Sequence, residues 1–202
     1  MAEQEQTRLT ARSPLGAFPG FIQPERFTDV ALEEVPHLTQ ISIRGNPSNR
    51  SFTSGIKQGL DVALPIKAGN VNEKGGNAAL WLGPDEWLIV TPDDDPAARV
   101  GALEAAVGEA TCSIVDVSDN RTTLKLSGPN SWTVLNKVSS LDFHPSHWKR
   151  GTCAGSLCGH AQAFFWQRSA EPEFYILVRN SFARYTAALL LDAMQEFRIR
   201  DE

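Results

Sequence analysis

The chain repeats itself, and that limits its folds more than any other feature. TQISIRGNPS, starting at Thr39, returns as TTLKLSGPNS from Thr122, and EWLIVTPDD from Glu86 returns as EFYILVRNS from Glu173. Each half reads strand, helix, hairpin, helix. The closing helices also share apolar positions, with Leu103 and Leu190 matched. Three matches in one register point to duplication of a β-α-β-β-α unit. Each amphipathic sheet face then needs a cover, so the expected fold is α+β, two sheets sharing a core and covered by helices.

The first half carries the clearer signals. Residues 38–45 alternate apolar and polar and end at Gly45, a period-2 strand. Ser48 is placed to cap a helix bearing Phe52, Ile56 and Leu60, although Gly55 and Gly59 weaken that helix. Residues 65–77 hold three glycines and a proline and read as a loop. Ala78–Leu82 and Trp87–Thr91 flank Gly83-Pro84-Asp85-Glu86 as a hairpin. Asp95 caps the next helix with Pro96 at its first position; Val100, Leu103 and Val107 form its stripe, and Gly108 ends it.

The second half runs the same programme. Ile114–Val117 is a short strand, and Thr122, Leu124 and Leu126 alternate along the next. Gly128-Pro129-Asn130 opens a helix bearing Trp132, Leu135 and Val138. Residues 149–160, rich in Gly and Cys, read as a loop. Ala161–Gln167 and Phe174–Val178 form a hairpin. Asn180 or Ser181 then caps a long helix whose stripe is Phe182, Tyr185, Leu189, Ala193 and Phe197, widened by Leu190 and Met194. The expected organisation is an extended arm over residues 1–30, followed by one α+β domain over 31–202. Its pseudo-repeats cover about 38–110 and 111–198. Apolar groups in residues 13–27 are expected to order against a partner subunit.

Composition narrows the function classes. With 42% hydrophobic residues in 202, a full core can be buried. A net charge of −5 provides no basic field for nucleic acid or an anionic membrane. No apolar run is long enough to span a bilayer, and the N-terminus has no apolar core of a secretory signal. The three cysteines, Cys112, Cys153 and Cys158, fit free thiols in a reducing compartment, so the cytoplasm is expected.

Two segments carry a resemblance. VDVSDNRTTLKLSGPNSWTVLNKVSSLD, residues 115–142, resembles the stretch of the aminomethyltransferase superfamily in which an Asp-Val-Ser turn feeds a strand, Ser-Gly-Pro and a helix. ALWLGPDEWLIVTP, residues 79–92, is more specifically similar to the gamma subunit family of heterotetrameric sarcosine oxidase. LWLGPDEWL is its most specific string. The likeness spans roughly residues 38–197, and Ser13-Pro14-Leu15 in the arm agrees with it. The resemblance implies an aminomethyltransferase folate-binding-domain-like fold and an accessory, non-catalytic subunit. The implied complex oxidatively demethylates sarcosine to glycine, yields hydrogen peroxide and passes the one-carbon unit to tetrahydrofolate. It implies alpha, beta and small delta subunits as partners, with FAD, FMN, NAD and tetrahydrofolate held in those partners and none in this chain. The alternative is a freestanding folate-binding protein, of the aminomethyltransferase or iron–sulfur-maintenance type.

Candidate chemistry weighs toward structural roles. No Gly-x-Gly-x-x-Gly follows a strand, and no phosphate-cradling loop appears; the glycines at 151, 155 and 159 have the wrong spacing. Cys153 and Cys158, with His160 and the pair His144 and His147 nearby, lack the usual two- to four-residue gaps of zinc ligands. Cys112 reads as a small buried hydrophobe. Asp116 and Asp119 bracket a turn before Arg121. In folate-binding relatives that turn borders the pocket, yet the aspartates read better as caps of the turn's backbone amides. Those relatives also place an Asp on the first strand of the second hairpin, where AQAFFWQ offers no carboxylate. Trp81, Trp87, Trp132 and Trp166 read as core, Trp148 as an interface anchor, and Asp93-Asp94-Asp95 as a capping loop. No catalytic, cofactor-binding or metal residue is assigned.

Overall fold

A computed structural model describes residues 12–22, 25–93 and 95–199. The calls on Asp94 and on residues 1–11 lie outside the described residues. Among the described residues ten strands form two five-stranded antiparallel sheets. The first sheet has the order β3 (Val71–Lys74), β4 (Asn77–Gly83), β5 (Glu86–Thr91), β2 (Thr39–Gly45), β6 (Cys112–Asp116). The second has the order β1 (Ala31–Val35), β7 (Arg121–Ser127), β10 (Glu173–Arg179), β9 (Ala161–Gln167), β8 (Thr152–Cys158). Alternation along the strands sends one side-chain set outward to the helices and the other toward the facing sheet.

Helices α2 (Arg50–Leu60) and α3 (Pro96–Val107) cover the first sheet, where Ile41, Ile43, Trp87 and Ile89 meet Phe52, Ile56, Leu60 and Leu103. Helices α4 (Ser131–Val138) and α5 (Ala183–Ala193) cover the second, through Leu124, Leu126, Phe165 and Ile176 against Val134, Leu135, Ala187 and Leu190. Between the sheets lie Val71, Leu80, Leu88 and Val90 from one, and Cys153, Trp166, Tyr175 and Leu177 from the other. The duplicated α+β architecture expected from the sequence is therefore present, as helices, sheet, sheet, helices.

The structure adds strands to each unit. β1 precedes the first strand recognised in its half, β6 is the short strand expected at Ile114–Val117, and each has crossed over. β1 pairs with β7, Val35 opposite Thr123, while β6 pairs with β2, Ile114 opposite Ile43. Each half thus lends its first strand to the other half's sheet. β3 and β8 occupy segments expected as loops, and they stitch the sheets together. Val71 N–H donates to Gly151 O, and Cys153 N–H to Gly69 O, both at 2.8 Å.

Local signals mostly hold. Asp95 Oδ1 accepts Ala98 N–H at 3.0 Å, and Gly108 closes α3 with φ of 63°. The cap of α2 is Asn49, which accepts Phe52 N–H at 3.2 Å, rather than Ser48. Gly55 has a packing role. A Cβ there would lie 2.5 Å from Ala106 O, so glycine lets α2 rest on the α3 backbone.

Helix α5 is rotated from its expected face. Ala183, Thr186, Ala187 and Leu190 are buried, whereas Phe182 is 43% and Tyr185 38% exposed. Phe182 belongs to a preceding 3-10 turn, Asn180–Phe182, and is out of α-helical register. The alanines let the helix lie close to the sheet, and Tyr185 Oη accepts His160 N–H at 3.0 Å.

The arm docks on its own chain, contrary to the expected partner contact. It contains a short helix, α1 (Pro19–Ile22). Leu15 is fully buried in the core beneath α4 and α5, and Phe18, Phe21 and Phe27 pack against it. Arg26 O accepts Ile199 N–H, and Phe197 O accepts Thr28 N–H, tying the arm to the C-terminal segment. Leu15, Phe18, Phe21 and Phe27 find their apolar cover there. Among the described residues no helix is long and apolar enough to cross a membrane.

Candidate functional site

Strands β7 and β10 end on the pair Arg121 opposite Arg179. Leu124, Leu126, Ile176 and Val178 face the helices, so alternation turns both arginines toward the inner face, in line with Leu177. Here the second sheet extends past its cover and forms a cleft of about 440 Å³. Phe164, Leu177 and half-exposed Leu157 supply its apolar surface, and Gln162 joins the guanidinium groups on its polar side.

Among the described residues neither guanidinium has a carboxylate within ion-pair distance. Burial pulls the Arg121 pKa below its usual value, and the neighbouring Arg179 adds to the fall. Glu86 opposes this only in part and is itself paired with Arg44 at 2.7 Å. The cleft can hold an anion against an apolar surface. It offers no acid–base pair.

Sequence reading did not single out this pair, although a signal was present. When the repeats are laid in register, the position before Thr39 matches the position before Thr122, and Pro92 matches Arg179. Leu38 and Pro92 thus stand where the second half has two arginines, one step beyond the Thr39–Thr91 pair. Leu38 packs against the core between the sheets.

The residues considered earlier are scattered. Ser118, Asp119, Arg121, His37 and Asn180 border a second cavity of about 470 Å³. Asp116 Oδ1 accepts Ser118 N–H at 2.9 Å and Ser118 Oγ–H at 2.6 Å, the geometry of a turn cap. Cys153 faces the core between the sheets and Cys158 the helices, so the two thiols point away from each other. Burial pushes each up to about 12. His160 is exposed, while His147 Nδ1 meets Asp142 at 2.7 Å and His144 Nδ1 meets Ser146. Among the described residues no three His, Cys, Asp or Glu side chains gather as metal ligands. Cys112 is half-buried at the start of β6.

Of the tryptophans, Trp87 is buried and donates to Pro65 O at 2.8 Å; Trp166 is buried, while Trp81 and Trp132 are half-buried. Trp148, expected as an interface anchor, is buried instead. Its ring centroid lies 4.8 Å from Phe143 and 6.1 Å from Phe174. It closes the rim of the helix-side core, where its indole finds apolar neighbours within the chain. Asp95 caps α3, and Asp93 pairs with Arg99 at 2.5 Å.

Comparison with known proteins supplies the context. Residues 44–196 match the sarcosine oxidase, gamma subunit family. The sarcosine oxidase subunit gamma of Corynebacterium sp. (strain P-1) is 35% identical over 171 residues, 83% of this chain and 81% of that protein. That of Arthrobacter sp. is 34% identical over 169 residues, 83% of this chain and 81% of that protein. In solved structures, a chain of heterotetrameric sarcosine oxidase from Corynebacterium sp. U-96 matches with a TM-score of 0.85 at 31% identity, covering 95% of this chain and 98% of that one. Aminomethyltransferase T of the glycine cleavage system from Bartonella henselae shares the fold, with a TM-score of 0.59 at 20% identity over 82% of this chain and 46% of that one.

Proposed function

We propose that this chain, which belongs to the sarcosine oxidase gamma subunit family, works as the accessory gamma subunit of a heterotetrameric sarcosine oxidase. The observation that carries the reading is the near end-to-end match to one chain of such an oxidase, at a TM-score of 0.85. The assembled enzyme is an oxidoreductase that demethylates sarcosine to glycine, reducing oxygen to hydrogen peroxide and passing the one-carbon unit to tetrahydrofolate. In this reading the chain supplies no catalytic, cofactor-binding or metal residue. FAD, FMN, NAD and tetrahydrofolate sit in partner alpha, beta and delta subunits, and the complex is cytoplasmic. Residues 31–202 act as one domain of two pseudo-repeats, about 38–110 and 111–198, preceded by the arm of residues 1–30.

Three features support a non-catalytic role. The strand AQAFFWQ, now β9, carries no carboxylate. The sequence has no dinucleotide fingerprint. The two buried cysteines face opposite sides of one strand. The test is co-expression. The purified chain alone is expected to be colourless and inactive on sarcosine. With its partners it should co-purify in stoichiometric amounts, through an interface of about 2,000 Å² or more. A flavin-loaded isolated chain, or partners fully stable and active without it, would refute the proposal.

A further inference from the structure

The Arg121–Arg179 cleft stands out because nothing in the fold requires its charges. The first half completes the matching strand ends with Leu38 and Pro92, and Leu38 joins the core there. The second half spends the same positions on two guanidinium groups side by side. Like charges at adjacent ladder positions repel, and burial raises that cost. Such a pair persists where an anion completes it. The chain as a whole carries −5, so this cationic cleft lies in an otherwise acidic protein.

The surroundings favour a protein segment as the source of the anion. β8 is an edge strand, and Leu157 on it is 50% exposed beside the arginines. Phe164 and Leu177 extend the apolar surface beneath. Arginine set against aliphatic and aromatic surface is the usual composition of a protein–protein contact. We infer that this cleft receives an acidic segment of a partner subunit, with a carboxylate seated on Arg121 and Arg179 and the adjoining apolar side chains against Leu157 and Phe164. The inference rests on the subunit reading and gives it a location.

The test uses the chain co-expressed with its tagged partner subunits. The double variant R121L/R179L follows the first half in placing apolar side chains at these positions, and R121Q/R179Q provides a polar counterpart should the first fail to fold. Thermal melting of each isolated variant verifies folding. The wild-type chain should be retained by its partners, with retention falling as salt rises. Either double variant, folded, should bind at least tenfold more weakly and lose most of that salt dependence, while Lys57→Gln on α2 should match wild type. Unchanged affinity in folded double variants overturns the inference alone. So does Arg121-dependent stabilisation of the isolated chain by 10 mM citrate with association unchanged, which would make the cleft a small-anion site. A wild-type chain that never associates with the partners overturns the subunit reading and the inference together.

Discussion

Three helical glycines allow the α2–α3 contact to be tested quantitatively. Replacing any of them by Ala raises helix propensity by about 0.8–1.0 kcal/mol. At Gly101 the new Cβ meets nothing within 4 Å, so that gain should appear in full. The expected rise in Tm is about 2–4 °C for a domain of this size. At Gly59 the nearest atom is Leu103 Cδ2, at 3.1 Å, the flexible tip of a side chain, so Gly59→Ala should be close to neutral. At Gly55 the Cβ would lie 2.5 Å from Ala106 O and 2.7 Å from Val107 Cα, both backbone atoms. The helices must then separate, at an overpacking cost of about 1–3 kcal/mol. Net of propensity, Gly55→Ala should lose up to about 2 kcal/mol, or up to roughly 8 °C in Tm. Thermal melts followed by circular dichroism, with urea titrations as a check, order the three variants. A Gly55→Ala protein melting at or above Gly101→Ala would refute the close-approach argument.

Two further perturbations probe packing and charge. Leu190→Ala should cost about 2–5 kcal/mol, because Leu190 is fully buried. Phe182→Ala should stay within about 0.5 kcal/mol, and equal losses would restore the helix face expected from the sequence. Burial raises the pKa of Glu73, with Arg168 at 3.4 Å opposing only in part. A folded pKa above the unfolded one stabilises the fold below the unfolded value, and that contribution is lost as pH climbs through the folded one. The Tm of Glu73→Gln should therefore gain on wild type between about pH 4 and pH 7. A gap that is flat or shrinks over this range would contradict the buried carboxylate.

What the sequence revealed was whatever local chemistry could enforce. Asp95, Pro96 and Gly108 bracket α3 through caps that need no tertiary partner. The paired hairpins show in runs such as Trp87–Thr91, which stay apolar because both faces are buried. The strands that escaped are edge strands. In β8, TCAGSLC, short polar side chains and a glycine give little strand preference, and only pairing with β9 makes it a strand. In β1, ALEEV, polar groups interrupt both faces: Glu33 is exposed and pairs with Lys125, and Glu34 on the opposite face accepts a hydrogen bond from Thr122 Oγ at 2.7 Å. Trp148 and the face of α5 were misjudged for a related reason. Aromatic size suggested which side chains anchor, whereas the close fit of Ala183 and Ala187 decided which side of the helix lies down. The arginine pair is a contact across strands, invisible along the chain and visible only where the two repeats disagree.

β1 belongs to one sheet by hydrogen bonding and to the other half by connectivity, and β6 mirrors it. No single cut through the chain therefore yields two complete units. A protein made of one such half would leave its first strand without a sheet and its sheet without an edge. Two copies exchanging those strands would repair both defects at once, in the manner of a domain-swapped homodimer with two-fold symmetry. Fusing such a pair end to end gives the present topology without moving a strand. It also frees the two halves to diverge, so that one can pack Leu38 against the core while the other sets out Arg121 and Arg179, a difference that a symmetric dimer of identical chains could not encode.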